Sequence, residues 1–152
     1  MDAQWDLSVR DRNGQLALVI EVKGKTNVSP EWAARLRRNI LAHGTFPKAP
    51  YLLMVFPDKF YLWAGAEIHL DQSEPDYIID ARPILQPYFE QAGVRGDRIS
   101  GQSLVLIVES WLGEIIYSKK SFETLNDSQH WLIKSGLYAA LAGGKFEHEA
   151  VA

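Results

Sequence analysis

Asp6, Glu21 and Lys23 are the residues whose types and spacing could do chemistry together. They flank Asn13-Gly14, the strongest short signal for a β-hairpin turn. If Asn13-Gly14 is a two-residue loop, Arg12 faces Gln15, and counting outward places Asp6 opposite Glu21. Directly opposed Cβ atoms lie about 4.5–5.5 Å apart, so two carboxylates at those positions repel. A divalent cation between them removes that repulsion, because hard Mg²⁺ or Mn²⁺ prefers carboxylate oxygens and keeps several waters. Lys23 is two residues beyond Glu21 and so shares its face. There it can offset negative charge, orient a water or stabilise charge developing on a substrate.

The flanking segments explain how these groups would be held. Residues 5–10 alternate, with Trp5, Leu7 and Val9 against Asp6, Ser8 and Arg10; residues 16–22 place Leu16, Leu18, Ile20 and Val22 on one face. A hairpin over residues 5–23 follows, its apolar face expected to pack on the next helix. Ser29-Pro30-Glu31 reads as the start of that helix, with Ser29 capping and Pro30 in the first turn. Trp32, Leu36 and Ile40 recur at helical spacing, and His43-Gly44 closes the segment, Gly44 as C-cap. Residues 51–56 and 60–64 read as two strands joined by a tight turn at Pro57-Asp58. Little signal follows over residues 65–83. Helices are expected at 84–91, at 103–117, where Leu104, Val108, Trp111, Leu112 and Ile115 share a face, and at 127–142, interrupted near Gly136. The tail from Lys145 is either a short strand or loose. The sum is a single α/β domain over residues 1–152, with a hairpin-centred core at about 5–64 and a mostly helical part at about 84–144.

Asp6 followed by Glu21-Val22-Lys23, with a helix and a strand behind them, resembles the PD-(D/E)XK nuclease superfamily. More narrowly, residues 5–25 look like the N-terminal nuclease region of type I restriction subunits; the resemblance covers residues 5–63. It implies a restriction-endonuclease-like mixed sheet flanked by helices, and a Mg²⁺- or Mn²⁺-dependent phosphodiesterase acting on DNA, or in second place RNA. It also implies Asp6, Glu21 and the Val22 carbonyl as metal ligands and Lys23 as the catalytic lysine, with water attacking in line. Trp5 stands at the position of the superfamily's signature proline, which is often absent from its members. The superfamily's leading helix and strand have no counterpart in the five residues before Asp6, so the C-terminal helices or a partner chain are expected to cover the hairpin.

Other residues carry weaker signals. Lys25, Arg35, Arg37 and Arg38 form a basic group, in which Lys25, Arg35 and Arg38 could hold phosphates flanking a scissile bond; an ordinary solvated helix face is the alternative. His43 reads as a helix-end histidine, while His69, His130 and His148 lack metal-ligand spacing. Trp32, Trp63, Trp111 and Trp131 fit core positions. Gly143-Gly144-Lys145 lacks the spacing of a phosphate loop, and Ser100 and Ser103 have no nucleophile-elbow context. The absence of cysteine excludes disulfides, thiolate zinc sites and thiol nucleophiles. Sixteen Lys and Arg against nineteen Asp and Glu, a net charge of −3, argue against a globally basic nucleic-acid binder but allow a local basic surface. No apolar run approaches a membrane span and no secretory leader is evident, so a cytoplasmic protein is expected. The alternative function is a non-catalytic, dimeric binding module of the same fold, or a partner in a toxin–antitoxin or defence system.

Overall fold

The hairpin sits near the middle of a mixed sheet that grows from both of its edges. The computed structural model describes residues 5–43, 49–65, 74–117 and 127–148. Strands β1 (Leu7–Arg10) and β2 (Leu16–Val22) pair antiparallel, and α1 (Pro30–His43) carries the chain over to β3 (Tyr51–Val55), parallel to β2. Strands β4 (Lys59–Ala64) and β5 (Tyr77–Asp80) extend the sheet antiparallel. Helices α2 (Arg82–Ala92), α3 (Gly101–Tyr117), α4 (Trp131–Lys134) and α5 (Leu137–Leu141) follow, and β6 (Lys145–His148) returns to pair with β1. The strand order is β5-β4-β3-β2-β1-β6. The fold is therefore α/β, a six-stranded mixed sheet flanked by helices, with a mostly helical second half.

Each face of the sheet carries its own core. On one, Leu7, Val9, Leu18, Ile20, Val22, Leu53, Phe60 and Leu62 pack against α2–α5 through Leu85, Leu104, Val108, Trp111, Leu132 and Leu141. On the other, Val19, Leu52, Met54, Tyr61 and Trp63 pack under α1 through Ala33 and Ala34, with Trp32, Leu36 and Ile40 at the margin. The expectation that the apolar hairpin face meets the Trp32 helix is thus corrected. Leu18, Ile20 and Val22 face the C-terminal helices, and α1 covers the opposite face, the one that carries Glu21. Both faces of β2 are covered, which is why it reads as a nearly continuous apolar run.

The covering that the hairpin required comes from the C-terminal half: β6 occupies the outer edge of β1 and α2–α5 cover its inner face. Phe60, Trp111 and Trp131 stack at the centre of that layer, with ring centroids 5.0–6.1 Å apart. Gly136, in a left-handed conformation (φ 83°), makes the expected break between α4 and α5. Ser29 Oγ accepts the Trp32 amide at 3.1 Å, as a cap should. Gly44 and His69 lie outside the described residues, as do the side chains of His43 and His148. No helix among the described residues is long and apolar enough to cross a membrane.

Candidate metal centre

The hairpin reaches the expected pairing by a different route. The loop has three residues, 12–14: the Asp11 amide donates to the Gln15 carbonyl at 2.7 Å and the Gly14 amide to the Asp11 carbonyl at 2.9 Å. Asp11 Oδ1 accepts the amides of Asn13 and Gln15, and Gly14 takes φ 80°, which a glycine adopts at no steric cost. This loop alone would shift the pairing by one residue and turn Glu21 into the apolar core. A bulge restores it. Arg10 pairs with Leu16 but Val9 pairs with Leu18, so Ala17 has no partner of its own on β1. Beyond the bulge Ser8 pairs with Val19 and Leu7 with Ile20, and one further step places Asp6 beside Glu21.

The two acids do meet. The Asp6 amide donates to the Ile20 carbonyl at 2.9 Å, Asp6 Oδ2 accepts the Val22 amide at 2.8 Å, and the Asp6 and Glu21 side chains are hydrogen-bonded to each other. Lys23 Nζ stands 3.5 Å from Glu21 Oε2. Glu21 is only 8% exposed, among the few buried polar residues of the chain's described part. Burial first, and the neighbouring Asp6 second, push its carboxyl up to about 8, while Lys23 pulls the other way without cancelling them. At neutral pH Glu21 is therefore mostly protonated, and its proton bridges toward Asp6.

That is the electrostatic signature of a pair short of positive charge. The donor set fits a hard divalent cation: two carboxylates on one face, and the Val22 carbonyl, which leaves the strand on the same side as the Val22 amide held by Asp6. Among the described residues no cluster of three or more His, Asp or Glu side chains is gathered, so the protein side of such a site would be these three groups, with waters completing the shell.

The chain matches no family model, no curated protein and no solved structure. The reading of the site rests on its own geometry.

The basic residues separate into two kinds. Arg35 and Arg38 are exposed on α1, the helix over the Glu21 face, and Lys25 is exposed two residues beyond Lys23. Arg37 belongs elsewhere: it is 2% exposed, under the face of Trp63 at 5.6 Å, with burial holding its guanidinium below the usual range and Asp76 opposing that. Trp63, Trp111 and Trp131 are core as expected, and His130 is exposed, 3.7 Å from Asp127. Ser100, which lacks the context of a nucleophile, acts as a cap instead, its Oγ accepting the Ser103 amide at the start of α3. The hydrogen bond from Val22 to Asp6, which orients that carboxylate, had no signal in the sequence beyond the hairpin register itself.

Proposed function

We propose that the chain is a divalent-cation-dependent phosphodiesterase that cuts DNA, of the PD-(D/E)XK kind, with RNA as the second substrate to test. The observation that carries this reading is the buried Asp6–Glu21 pair with Lys23 at its edge. Two facing acids, one of them forced to keep a proton at neutral pH, make a poor structural contact and a good cation site. Asp6 and Glu21 would hold the ion, with the Val22 carbonyl as third ligand. When bound, Mg²⁺ or Mn²⁺ supplies Lewis acidity and a counter-charge for phosphate.

The chain's own groups then have defined roles. The Val22 amide holds Asp6 by one carboxylate oxygen, Oδ2, and so orients the carboxylate beside Glu21. Lys23, with its side chain 42% exposed, can reach past Glu21 to a phosphate oxygen or hold the attacking water by a hydrogen bond. Exposed Arg35 and Arg38 on the overlying helix offer contacts to flanking phosphates.

The test joins binding to cleavage. Mg²⁺ or Mn²⁺ should raise the melting temperature of the wild type and not of Glu21→Ala; a ligand at ten times its dissociation constant contributes about 1.4 kcal/mol. Linear DNA should be cut in Mg²⁺ but not in EDTA. A wild type that neither responds to the ions nor cuts DNA or RNA overturns the reading.

A further inference from the structure

Trp32 differs from the other tryptophans of the helices. Trp111 and Trp131 are 1% and 8% exposed and fill the core between the sheet and α2–α5, whereas Trp32 is half-buried in the first turn of α1. Its ring meets Phe56 edge-on, with centroids 6.2 Å apart at 73°, and the Lys25 ammonium lies 4.9 Å from the ring centroid. Lys25 is exposed and has no carboxylate partner among the described residues. Chain connections put this pair on the sheet face that carries the carboxylates, at the same end of β2 and β3. The Lys23 amide donates to the Val55 carbonyl at 2.9 Å, and Phe56, the next residue, carries the Trp32 ring. Glu21, Phe56 and α1 all belong to the same face of the sheet, because Glu21 alternates with Val22 and shares the side of Val19.

We propose that Trp32 and Lys25 form a base-stacking platform beside the Asp6–Glu21 site, so that the favoured substrate is single-stranded or locally unpaired DNA. The inference rests on the phosphodiesterase reading and adds a substrate class to it. In the free protein Lys25 covers the indole by a cation–π contact, which is weak at an exposed position. A phosphate draws the ammonium off the ring, and an unpaired base takes its place. The exchange trades one cation–π contact for a charge-assisted contact and a stack. A base inside a duplex has both faces occupied and cannot make that exchange. Stacking on one aromatic side chain strengthens single-strand binding by on the order of tenfold or more per base, without sequence preference.

The experiment uses the full chain in Ca²⁺, a hard cation that takes the same oxygen donors, with two probes: an oligothymidylate of about a dozen nucleotides and a duplex of the same length. Wild type should bind the single strand more tightly than the duplex, with quenching of tryptophan fluorescence. Trp32→Leu should weaken single-strand binding by about tenfold or more, abolish most of the quenching and leave duplex binding within about twofold. Lys25→Gln touches only an exposed side chain, so it keeps the test decisive even if the Trp32 variant fails to fold. It should lower the salt dependence of single-strand binding by one phosphate contact, a slope change of about 0.7. Unchanged single-strand affinity in a folded Trp32→Leu, or an unchanged salt slope in Lys25→Gln, overturns the platform; if wild type still cuts DNA in Mg²⁺, the phosphodiesterase reading survives that result. Absence of both binding and cleavage in wild type removes the two together.

Discussion

Replacing Glu21 by glutamine should stabilise the metal-free protein at neutral pH, and the gain should grow with pH. The unfolded Glu21 carboxyl releases its proton near 4.5, whereas the folded one holds it to about 8. Between those values the folded state binds more protons than the unfolded state, so unfolding free energy falls as pH rises, by about 1.4 kcal/mol per pH unit for one group. The contribution is fully present below 4.5 and is lost progressively up to about 8. At pH 7 the wild type has lost about 3 kcal/mol relative to acid conditions, from this group alone. Glutamine has nothing to titrate, and its amide can donate to Asp6 as the protonated acid does. For a chain of this size about 3 kcal/mol corresponds to roughly 6–12 °C in melting temperature. Melting curves in EDTA from pH 5 to pH 8 should therefore converge for the two proteins at the acid end and separate toward pH 8, with Glu21→Gln the higher. Saturating Mg²⁺ should close that gap by raising the wild type alone. Parallel profiles across the range would refute the claim that a buried, charge-starved carboxyl sits at this position.

Lys23→Gln removes the cation 3.5 Å from Glu21 and should lower cleavage by about 10²–10³-fold in a DNA-nicking assay. Its melting temperature at pH 5, where Glu21 is neutral, should barely change. Gly136→Ala forces a side chain into a left-handed backbone (φ 83°) and against Tyr51 Oη at 2.8 Å, the group that donates to the Ser135 carbonyl. It should destabilise by about 1–3 kcal/mol, seen as a lower urea midpoint with an unchanged slope. Trp111→Ala opens the aromatic layer and frees Gln129, which accepts from the indole at 2.8 Å; a loss of about 3–5 kcal/mol is expected by denaturant titration. Deletion of Ala17 should be tolerated and keep the response to Mg²⁺, whereas deletion of Val19 should abolish it, because Ala17 is the bulged residue skipped in the register while Val19 pairs with Ser8.

Much of the fold was legible because local chemistry and tertiary demand agree. Ser29-Pro30 starts α1, Gly136 divides α4 from α5, and the apolar stripe from Leu104 to Ile115 lies against the sheet. The elements that sequence reasoning misses lack local signal. Strand β5 has four residues and a single buried one, Ile79, so no alternation could develop. Strand β6 is ambiguous in sequence, since its strand character comes from pairing with β1, at the far end of the chain. The faces of the hairpin are reversed for a related reason. Periodicity reports that two faces differ, but which helix layer covers each is set by the crossover through α1 and by the bulk of α2–α5, neither of which is written in the hairpin.

The site was legible through a count whose middle step was wrong. A two-residue loop at Asn13-Gly14 predicts Asp6 opposite Glu21; the actual three-residue loop removes one residue from the register and the Ala17 bulge restores it. The cancellation has a physical cause. A slip of one residue moves every side chain of β2 to the other face, which would expose Leu18, Ile20 and Val22 to the thin layer under α1 and drive Val19 and Glu21 into the core built by α2–α5. Fully burying one such aliphatic side chain is worth about 1.5–3 kcal/mol, so several of them together outweigh the modest preference of any turn type. The turn is free to choose its geometry because the bulge can absorb the difference, and Leu16 records the adjustment. It packs on the α1 side although Leu18 packs on the other, a break in alternation that only an inserted residue produces. The pairing of the two acids is therefore held by the hydrophobic core on the opposite face of the same strands, and mutations in the loop should move the site far less than mutations beneath it.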